Sequence, residues 1–469
     1  MAGKKAEQTR ATWLETLDKF RDDENGPGSK DYWSPSLDCA SRDEIRAIQD
    51  EKLGAMVPFL YENSDFYKRR FDRLGLAPTD VDTVETLVKW PVVDKGEMME
   101  DGAANPPYGT YTAHDDELWT KRGWMMFSSS GSSGPPRVFR YTQNDRVQWE
   151  WANARALHSE GIRPNDSMLI CAGYGPHVFA WGVQFALARM KVACIPGGGM
   201  TSDMRAMIVD RYKPTVITST PSYALHLGRV MEEKGMDPAG SSVNKVLVGG
   251  ESATGISNTR SRLEDLWGAR LVEFYGCTEV APHCGGFSCP ASDQGEGPVT
   301  THLMEDIQVW ELIDEESQDR VADGQQGLTV CTSLNSESSP QLRFLVGDYA
   351  TYTTETCDCG RSHVRAVGAF GGRADDLINL RGTKMYPVQL EEAIRAVPGI
   401  GDEYEIVIET NPDGLDIMTA RVEHEDQAVV DQVANEIRSR CEVRVDVELL
   451  SLGTLPKTEF KAKRVRDER

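Results

Sequence analysis

Short apolar runs that alternate with helix-like segments constrain the fold of this chain more than any other feature. The apolar runs lie at 167–171, 192–196, 215–218, 245–248 and 270–274. Amphipathic segments lie between them at 179–190, 202–211 and 221–234. Parallel strands need long crossover connections, which are usually helices, so this alternation predicts a mostly parallel sheet covered by helices. The expected fold class is α/β.

The pattern changes toward the C-terminus, where strands follow one another more closely. Strands are predicted at 307–312, 328–332, 342–346, 403–410, 415–423 and 443–450, and helices at 387–396 and 426–441. The tail from about residue 374 therefore reads as a compact α+β unit. We predict a large N-terminal domain of mixed or parallel sheets over 1–372 and a small C-terminal domain over 373–469. A helix over 42–74 with Ser41 as its N-cap is also predicted.

Charge and hydropathy exclude several classes of partner. The chain has 469 residues with 51 Lys and Arg against 74 Asp and Glu, a formal net charge of −23. That excess disfavours non-specific binding to DNA, RNA or anionic lipid. No run approaches the roughly 18 apolar residues of a membrane span, and the charged N-terminus lacks the apolar core of a secretory signal. We therefore expect a cytoplasmic protein without nucleic-acid or membrane partners.

The ten cysteines point to metal or redox chemistry rather than to a disulfide framework. Their density is ordinary for this length, and the expected compartment is reducing. Cys357 and Cys359 stand one residue apart, which is a spacing that two thiol ligands of a metal can adopt.

A Ser/Gly-rich segment at 127–137, FSSSGSSGPPR, is the strongest local signal of chemistry. A turn of this composition after an apolar strand exposes backbone N–H groups and hydroxyls to one small volume, which suits phosphate oxygens. It lacks the G-x-x-x-x-G-K-[ST] pattern of a Walker loop. The alternative is a flexible surface loop, and this segment alone does not separate the two.

Four further motifs follow in the chain and favour a nucleotide site. They are FYGCTE at 274–279, RFLVGD at 343–348, GRADD at 372–376 and LPKTEFKAKR at 455–464. The first combines an aromatic ring, a hydroxyl and a carboxylate at the end of a strand, and the second places a carboxylate where ribose hydroxyls are usually held. Each motif alone is typical of a solvated loop, but their combination in this order is not.

With these five motifs, the chain resembles the acyl-adenylate-forming superfamily, and within it the phenylacetate–CoA ligase branch of aryl-CoA ligases. The resemblance extends from Tyr32 to Lys461, which is nearly the whole chain. It implies a large nucleotide-binding domain and a small mobile C-terminal domain. It also implies two half-reactions, in which a carboxylate and Mg·ATP give an acyl-adenylate and pyrophosphate, and a thiol then displaces AMP.

The resemblance assigns a role to each motif. The β- and γ-phosphates are expected to contact Ser129, Ser130, Gly131, Ser132, Ser133 and Gly134. The turn after the 270–274 strand is expected to supply Tyr275 for adenine stacking, Gly276 beside it, Thr278 for the α-phosphate and Glu279 for Mg²⁺. Other expected contacts are Gly249, Gly250 and Glu251 near adenine and the acyl group, Asp348 on the ribose with the help of Arg373, Asp375 as the hinge and Lys461 during adenylation.

The chain departs from the family pattern at two positions. The phosphate loop of the family usually ends Gly-Lys-Pro, whereas this chain has Gly134 followed by two prolines and Arg137. Arg137 is a candidate substitute for the missing lysine, although the prolines fix the chain direction. The residue before the C-terminal lysine is usually Gly, and here it is Phe460.

The acyl group is expected to bind at the segment 171–182, CAGYGPHVFAWG. It resembles the segment of aryl-CoA ligases whose aromatic side chains line the acyl site, which assigns Tyr174, His177 and Phe179 to the substrate. Aromatic walls suit a flat apolar ring. Ordinary core packing is the alternative, and it is the interpretation preferred for Val178 and Trp181.

Three thiols and one imidazole form a candidate zinc site. Cys277, His283, Cys357 and Cys359 offer a tetrahedral ligand set, and Cys284 and Cys289 compete as ligands. Some members of the phenylacetate–CoA ligase branch carry a structural zinc, which favours this assignment. A closed set of four protein ligands predicts a structural rather than a catalytic ion.

The predicted function is therefore an ATP-dependent ligase that joins an aromatic carboxylic acid to CoA. Its predicted cofactors are ATP, Mg²⁺ and CoA, with a structural Zn²⁺. An adenylate-forming amide ligase, or a stand-alone enzyme that loads a carrier protein, is the alternative, because the CoA contacts are scattered and poorly encoded. A degenerate regulatory nucleotide binder is a third hypothesis that the altered phosphate loop suggests. A homodimer is expected only from the resemblance.

Overall fold

The computed structural model describes most of the chain. It covers residues 3–22, 26–129, 136–251, 253, 255–293, 299–368, 370, 372–373, 376–381, 383–411, 415–457 and 464–469. Predicted site residues Ser130, Gly131, Ser132, Ser133, Gly134, Asp375 and Lys461 lie outside these ranges.

The described ranges contain α-helices, short 3₁₀ segments and strands. The helices are α1 (Lys4–Lys19), α2 (Pro35–Asp38), α3 (Arg42–Asn63), α4 (Asp65–Leu74), α5 (Lys95–Ala104), α6 (Asp116–Arg122), α7 (Gln143–Ser159), α8 (Val178–Met190), α9 (Ser202–Tyr212), α10 (Pro221–Glu233), α11 (Ser257–Trp267), α12 (Pro290–Asp293), α13 (Pro387–Arg395) and α14 (Val429–Cys441). The 3₁₀ segments are Pro78–Asp80 and Thr86–Lys89.

The strands are numbered in chain order. They are β1 (Gly123–Ser128), β2 (Val138–Thr142), β3 (Ser167–Ile170), β4 (Ala193–Pro196), β5 (Val216–Ser219), β6 (Lys245–Val248), β7 (Arg270–Cys277), β8 (Ala281–Phe287), β9 (Thr300–Leu303), β10 (Gln308–Ile313), β11 (Gln326–Ser333), β12 (Phe344–Thr353), β13 (Arg365–Val367), β14 (Ile378–Leu380), β15 (Thr383–Met385), β16 (Tyr404–Thr410), β17 (Asp416–Glu423), β18 (Asp446–Leu450) and β19 (Val465–Asp467).

Backbone contacts divide the chain into two compact units. Unit 1 combines Met1–Gly199 with Phe274–Val367, and unit 2 combines Met200–Glu273 with Gly368–Arg469. The second unit begins its C-terminal part at Gly368, close to the predicted limit near 372. The predicted division into domains 1–372 and 373–469 stays a prediction.

Unit 1 contains parallel and antiparallel strand pairs, so its sheet structure is mixed. β3 and β4 run parallel, and α8 connects them. β10, β11, β12, β13, β9 and β8 pair antiparallel in that order, and β1 and β2 form a separate antiparallel pair. Every residue of β10 is buried, as expected for a strand covered on both faces.

The predicted helix over 42–74 is two helices, which meet at Ser64. Ser41 caps α3 as predicted, because its hydroxyl accepts the Glu44 N–H and the Glu44 carboxylate accepts the Ser41 N–H. Ser64 has an extended backbone, and its hydroxyl accepts the Tyr67 N–H at the start of α4. Ser64 therefore ends α3 and caps the N-terminus of α4. The apolar pattern continues across Ser64 because each of the two helices buries an apolar face.

An ion-pair network centred on Arg155 of α7 lies in the core of unit 1. The Arg155 guanidinium contacts Asp306 through Nη1 at 2.7 Å and Asp38 through Nη2 at 2.9 Å, and all three side chains are at most 2% exposed. Although burial alone would raise it, the charge of Arg155 lowers the pKa of Asp306 to about 2. The network joins α2, α7 and the turn before β10, and its stability depends on complete pairing.

Unit 2 combines a parallel sheet with an α+β assembly. β5, β6 and the first four residues of β7 run parallel. In the C-terminal part, β18, β17, β16 and β19 form one sheet, and α13 and α14 cover it. The apolar side chains of this assembly form their own core, which includes Leu390, Ile406, Ile408, Val422 and Val433.

Ion pairs join the two parts of unit 2. Asp402 receives the Nε of Arg229 at 2.8 Å from α10 and the Nη2 of Arg262 at 2.6 Å from α11. Lys457 and Glu233 form a further pair at 2.7 Å. These contacts explain why 200–273 groups with the C-terminal part.

The predicted fold class is confirmed. The apolar runs at 167–171, 192–196, 215–218 and 245–248 form β3, β4, β5 and β6, and these strands pair in parallel as the alternation predicted. Within the described ranges, no helix has both the length and the apolar character that a membrane crossing requires.

Replacing Arg155 tests the buried network. Arg155→Met removes the guanidinium that pairs with two buried carboxylates, so we expect a loss of about 3–5 kcal/mol in the free energy of unfolding near neutral pH. Without that cation the pKa of Asp306 rises, and protonation removes the buried charge. The loss therefore shrinks as the pH falls toward about 4.

Urea unfolding at both pH values measures this loss. The control is Arg146→Met, which breaks an i,i+4 pair with Glu150 on the partly exposed side of the same helix. That variant is expected to lose less than about 1 kcal/mol. Equal losses for the two variants, or a loss for Arg155→Met that does not change with pH, would contradict the account.

Candidate functional site

The turn that follows β7 carries the charged centre of the site. The pairing of β7 with β8 shifts register between Tyr275 and Cys277, so the chain bulges there, and Gly276 is exposed at the bulge. A bulge re-aims the side chains that follow it. Thr278 follows the bulge, and its carbonyl accepts the Tyr141 hydroxyl at 3.2 Å.

Glu279 lies buried in this turn between a guanidinium and a thiol. Arg137 Nη2 and Nε donate to Glu279 Oε1 at 2.7 and 3.1 Å, and the Cys277 thiol donates to Oε2 at 2.9 Å. The Arg137 and Glu279 side chains are 10% and 6% exposed. Burial opposes ionisation, but the Arg137 charge and these hydrogen bonds lower the pKa of Glu279 below its ordinary value. Glu279 is therefore a carboxylate at neutral pH.

Ser129 and Arg137 close the base of the Ser/Gly-rich segment. The Ser129 N–H donates to the Arg137 carbonyl at 3.0 Å, and the Arg137 N–H donates to the Ser129 hydroxyl oxygen at 3.1 Å. Ser129 is buried. Ser130, Gly131, Ser132, Ser133 and Gly134, which the sequence assigns to phosphate, lie between them and outside the described residues.

Tyr275 and Asp348 meet, as two residues predicted for one nucleotide should. The Tyr275 hydroxyl donates to Asp348 Oδ2 at 2.5 Å. The Asp348 main chain is fixed by Thr329, whose hydroxyl donates to the Asp348 carbonyl at 2.8 Å and accepts its N–H at 3.1 Å. Burial, and then the negative charge of Asp348, raise the pKa of Tyr275 well above its ordinary value.

Aromatic rings surround the start of α8, where the acyl site is predicted. The rings of Tyr174 and Trp181 meet edge to face at 4.9 Å, and those of Phe179 and Phe274 stack at 5.1 Å. Burial raises the pKa of Tyr174, whose hydroxyl has no hydrogen-bond partner among the described residues. His177 is the N-cap residue of α8.

Gly198 is required for the position of the Tyr174 ring. A Cβ at Gly198 would lie 2.3 Å from Cδ2 of that ring, closer than any two carbon atoms can approach without a bond. The GGG sequence at 197–199 therefore has a packing role on the edge of the aromatic cluster.

Unit 2 contains the remaining predicted contacts. Gly249 donates its N–H to the Ser219 carbonyl at 3.3 Å, and Gly250 has a φ of +84°, which favours glycine. Glu251 accepts the Ser222 hydroxyl at 2.7 Å. The Arg373 carbonyl accepts the Asp376 N–H at 3.1 Å in a turn. The proposed hinge Asp375 lies outside the described residues, as does Lys461.

Four potential metal ligands gather in unit 1, and they differ from the predicted set. Cys289, His302, Cys357 and Cys359 place one ligand atom each within 4.8 Å of the others. Cys277 was predicted as a ligand, but its thiol instead donates to Glu279. Cys284 donates its thiol to the Gly286 carbonyl at 3.0 Å. The side chain of His283 lies outside the described residues.

The geometry of this cluster fits a tetrahedral ion. Metal–sulfur bonds of about 2.3 Å and metal–nitrogen bonds of about 2.0 Å give edges of about 3.8 Å between sulfurs and about 3.5 Å between sulfur and nitrogen. Cys289 and Cys357 have their Sγ atoms 3.8 Å apart, and Cys359 Sγ lies 3.4 Å from His302 Nε2. His302 is fully buried, and its ring stacks on Phe287.

Sequence spacing could not identify Cys289 and His302 as partners. β8 and β9 pair antiparallel, which sets Phe287 opposite His302 and brings the end of β8 beside β9. The short spacing of Cys357 and Cys359 was the usable signal. The position of Cys289 and His302 beside these two thiols follows from strand pairing.

Comparison with known proteins gives a consistent result. The family model described as AMP-binding enzyme matches residues 78–333, and the model described as AMP-binding enzyme C-terminal domain matches 382–469. A phenylacetate-coenzyme A ligase from Thermus thermophilus is 28% identical over 459 residues, covering 93% of this chain and 99% of that protein. The phenylacetate-coenzyme A ligase of Escherichia coli is 29% identical, covering 92% and 97%.

A solved structure covers nearly the whole chain. The crystal structure of 2-hydroxyisobutyryl-CoA ligase in the postadenylation state, in complex with 2-HIB-AMP, superposes with a TM-score of 0.88 at 27% identity. The match covers 96% of this chain and 95% of that one.

Proposed function

Because the chain belongs to the AMP-binding enzyme family, we propose that it activates an aromatic carboxylic acid with ATP and transfers the acyl group to CoA. The protein is an AMP-forming acid–CoA ligase whose substrates are a small-molecule acid, ATP and CoA. The observation that best supports the proposal is the end of β7 together with the turn that follows it. There Tyr275 is hydrogen-bonded to Asp348, and Glu279 is a buried carboxylate four residues later.

The charges of the site suit the first half-reaction. A carboxylate that attacks the α-phosphorus of ATP brings two anions together, so cations and N–H donors must neutralise the developing charge. We assign Glu279 to Mg²⁺, Thr278 to the α-phosphate, and Ser129 with the segment 130–134 to the other phosphates. Mg²⁺, when bound, neutralises charge on the phosphate oxygens. We also assign Lys461 to neutralise the negative charge that develops on the phosphate oxygens during adenylation.

The ribose and adenine are assigned to the Tyr275–Asp348 pair. Asp348 has a fixed main chain and a carboxylate that can accept two hydroxyls, and the Tyr275 hydroxyl orients it. Arg373, Gly249, Gly250, Glu251 and Gly276 keep their predicted assignments to the nucleotide. Asp375 keeps its assignment as the hinge.

The acid is proposed to carry a ring because the predicted acyl segment is lined by rings. Tyr174 and Phe179 each pack against a second aromatic side chain, and His177 lies at the start of the same helix. Flat apolar walls favour a flat apolar substrate. The curated relatives act on phenylacetate, which is consistent with this class of acid.

We infer that a structural Zn²⁺ binds Cys289, His302, Cys357 and Cys359. Thiolate and imidazole are the ligands that zinc prefers, and four of them leave no open position for a reacting water. The ion would tie the end of β8 and β9 to the loop after β12, all within unit 1.

Product analysis with a panel of acids tests the proposed function. The protein is supplied with Mg·ATP, CoA and, separately, phenylacetate, 4-hydroxybenzoate and 2-hydroxyisobutyrate. We expect acid-dependent pyrophosphate release with an aromatic acid, and equimolar acyl-CoA and AMP by mass spectrometry. Turnover of 2-hydroxyisobutyrate alone would contradict the aromatic pocket, and amide formation with an amino acid instead of thioester would favour an amide ligase.

A pair of lysine variants controls this experiment. Lys461→Ala removes the proposed adenylation cation, so pyrophosphate release should fall by about 10²- to 10³-fold. Lys457→Ala removes a nearby cation that instead pairs with Glu233, and its rate should be unchanged. Near-normal release by Lys461→Ala would refute the assignment of that residue.

Elemental analysis tests the zinc assignment and separates the two ligand sets. Purified protein should contain one zinc per chain. Cys289→Ser and His302→Ala should lower both zinc content and thermal stability, because metal binding contributes directly to folding. Cys277→Ser is the matched control and should keep its zinc. Zinc loss in Cys277→Ser with full zinc in Cys289→Ser would restore the ligand set predicted from the sequence.

A further inference from the structure

Arg137 pairs with Glu279, the carboxylate that is assigned to a divalent cation. Two nitrogens of its guanidinium share Glu279 Oε1, and the Cys277 thiol takes Oε2. Both members of the ion pair are nearly excluded from water. Both oxygens of the carboxylate assigned to a divalent ion thus accept hydrogen bonds from the protein's own donors.

The same residue forms the end of the phosphate-binding segment. Its main chain pairs with Ser129 in both directions, which closes the loop whose residues are assigned to ATP phosphates. Phe127 and Ser128 pair with Phe139 and Val138 on the adjoining strands, so the base of the loop is held by the β1–β2 ladder. Arg137 therefore contacts the metal-binding carboxylate with its side chain and borders the phosphate loop with its main chain.

We propose that Arg137 is a built-in counter-ion of Glu279, which leaves this carboxylate when a divalent cation and ATP bind and then pairs with a phosphate oxygen. The inference rests on the proposed function, because it takes Glu279 as the metal ligand. Under this proposal, Arg137 takes the role of the phosphate-loop lysine that this chain lacks. Before the nucleotide binds, Arg137 is paired with Glu279.

Electrostatics requires exchange rather than joint occupancy. A guanidinium and a divalent ion on one carboxylate repel each other, and the repulsion is strong where water is excluded. A buried carboxylate without any cation is also unfavourable. Glu279 is therefore expected to pair either with Arg137 or with the divalent ion. The released guanidinium has a planar fork of donors that matches a phosphate.

Exchange makes metal and nucleotide binding cooperative. A divalent ion alone must displace Arg137 and leave the guanidinium without a partner, so it binds weakly. With ATP present, the phosphates accept the guanidinium, and the ion binds without that penalty. The coupling is reciprocal, so the metal must raise nucleotide affinity by the same factor.

Mn²⁺ binding measured by electron paramagnetic resonance tests the exchange without turnover. Free Mn²⁺ is titrated against protein alone and against protein with the non-hydrolysable α,β-methylene ATP. For the wild-type protein we expect weak Mn²⁺ binding alone and at least about 10-fold tighter binding with the analogue. Arg137→Gln should bind Mn²⁺ alone about 10-fold more tightly than the wild type, and the analogue without metal more weakly.

Three further variants make the result specific. Glu279→Gln should lose Mn²⁺ binding, and adding Arg137→Gln to it should change nothing. Arg122→Gln removes a cation that pairs with Glu337 instead, so its Mn²⁺ affinity should equal that of the wild type. Arg137→Lys keeps the charge and should keep Mn²⁺ binding weak, which also covers the case in which Arg137→Gln fails to fold.

Equal Mn²⁺ affinities for wild type and Arg137→Gln, each without nucleotide, would overturn the proposal. So would tight Mn²⁺ binding to Arg137→Lys. Failure of the proposed function has a different signature, in which the analogue does not bind any variant even with Mn²⁺ present.

Discussion

The charge of one buried carboxylate governs the arrangement of the site. Glu279 is ionised although it is only 5% exposed, because Arg137 and Cys277 occupy both of its oxygens. Removing the guanidinium would leave this buried charge without its compensating cation. The ion pair joins the turn after β7 to the base of the loop between β1 and β2. It thereby connects the segment assigned to phosphate with the acid assigned to the metal.

The same principle operates in the core, at Arg155. Its guanidinium balances Asp38 and Asp306 where no water reaches them. The formal net charge of −23 is therefore not felt at these three buried acids, because each is paired locally with a guanidinium. The two sites differ in one respect. Arg155 has no exchange partner and serves stability, whereas Arg137 lies beside a loop that is assigned to anions.

Local sequence predicted the fold class and many of the helices and strands. The grouping of the potential metal ligands depends instead on strand pairing, which local sequence does not reveal. Short apolar runs were sufficient for β3, β5 and β6 because periodicity and length are local properties. The break at Ser64 was missed since the apolar pattern runs through it, and only the hydroxyl contact with Tyr67 reveals the cap. Cys277 was assigned to zinc from its spacing to His283 and from the family resemblance, whereas the pairing of β8 with β9 brings Cys289 and His302 together with Cys357 and Cys359.

A structure of the protein with Mg²⁺ and α,β-methylene ATP would show whether Arg137 leaves Glu279 when both ligands bind. The quantity to measure is the distance from Arg137 Nη2 to Glu279 Oε1, which is 2.7 Å in the present structure. We predict that it exceeds about 3.5 Å, beyond hydrogen-bond range, with the guanidinium on a phosphate oxygen and the metal on Glu279. An ion pair that stays intact, with the metal held elsewhere, would contradict this prediction.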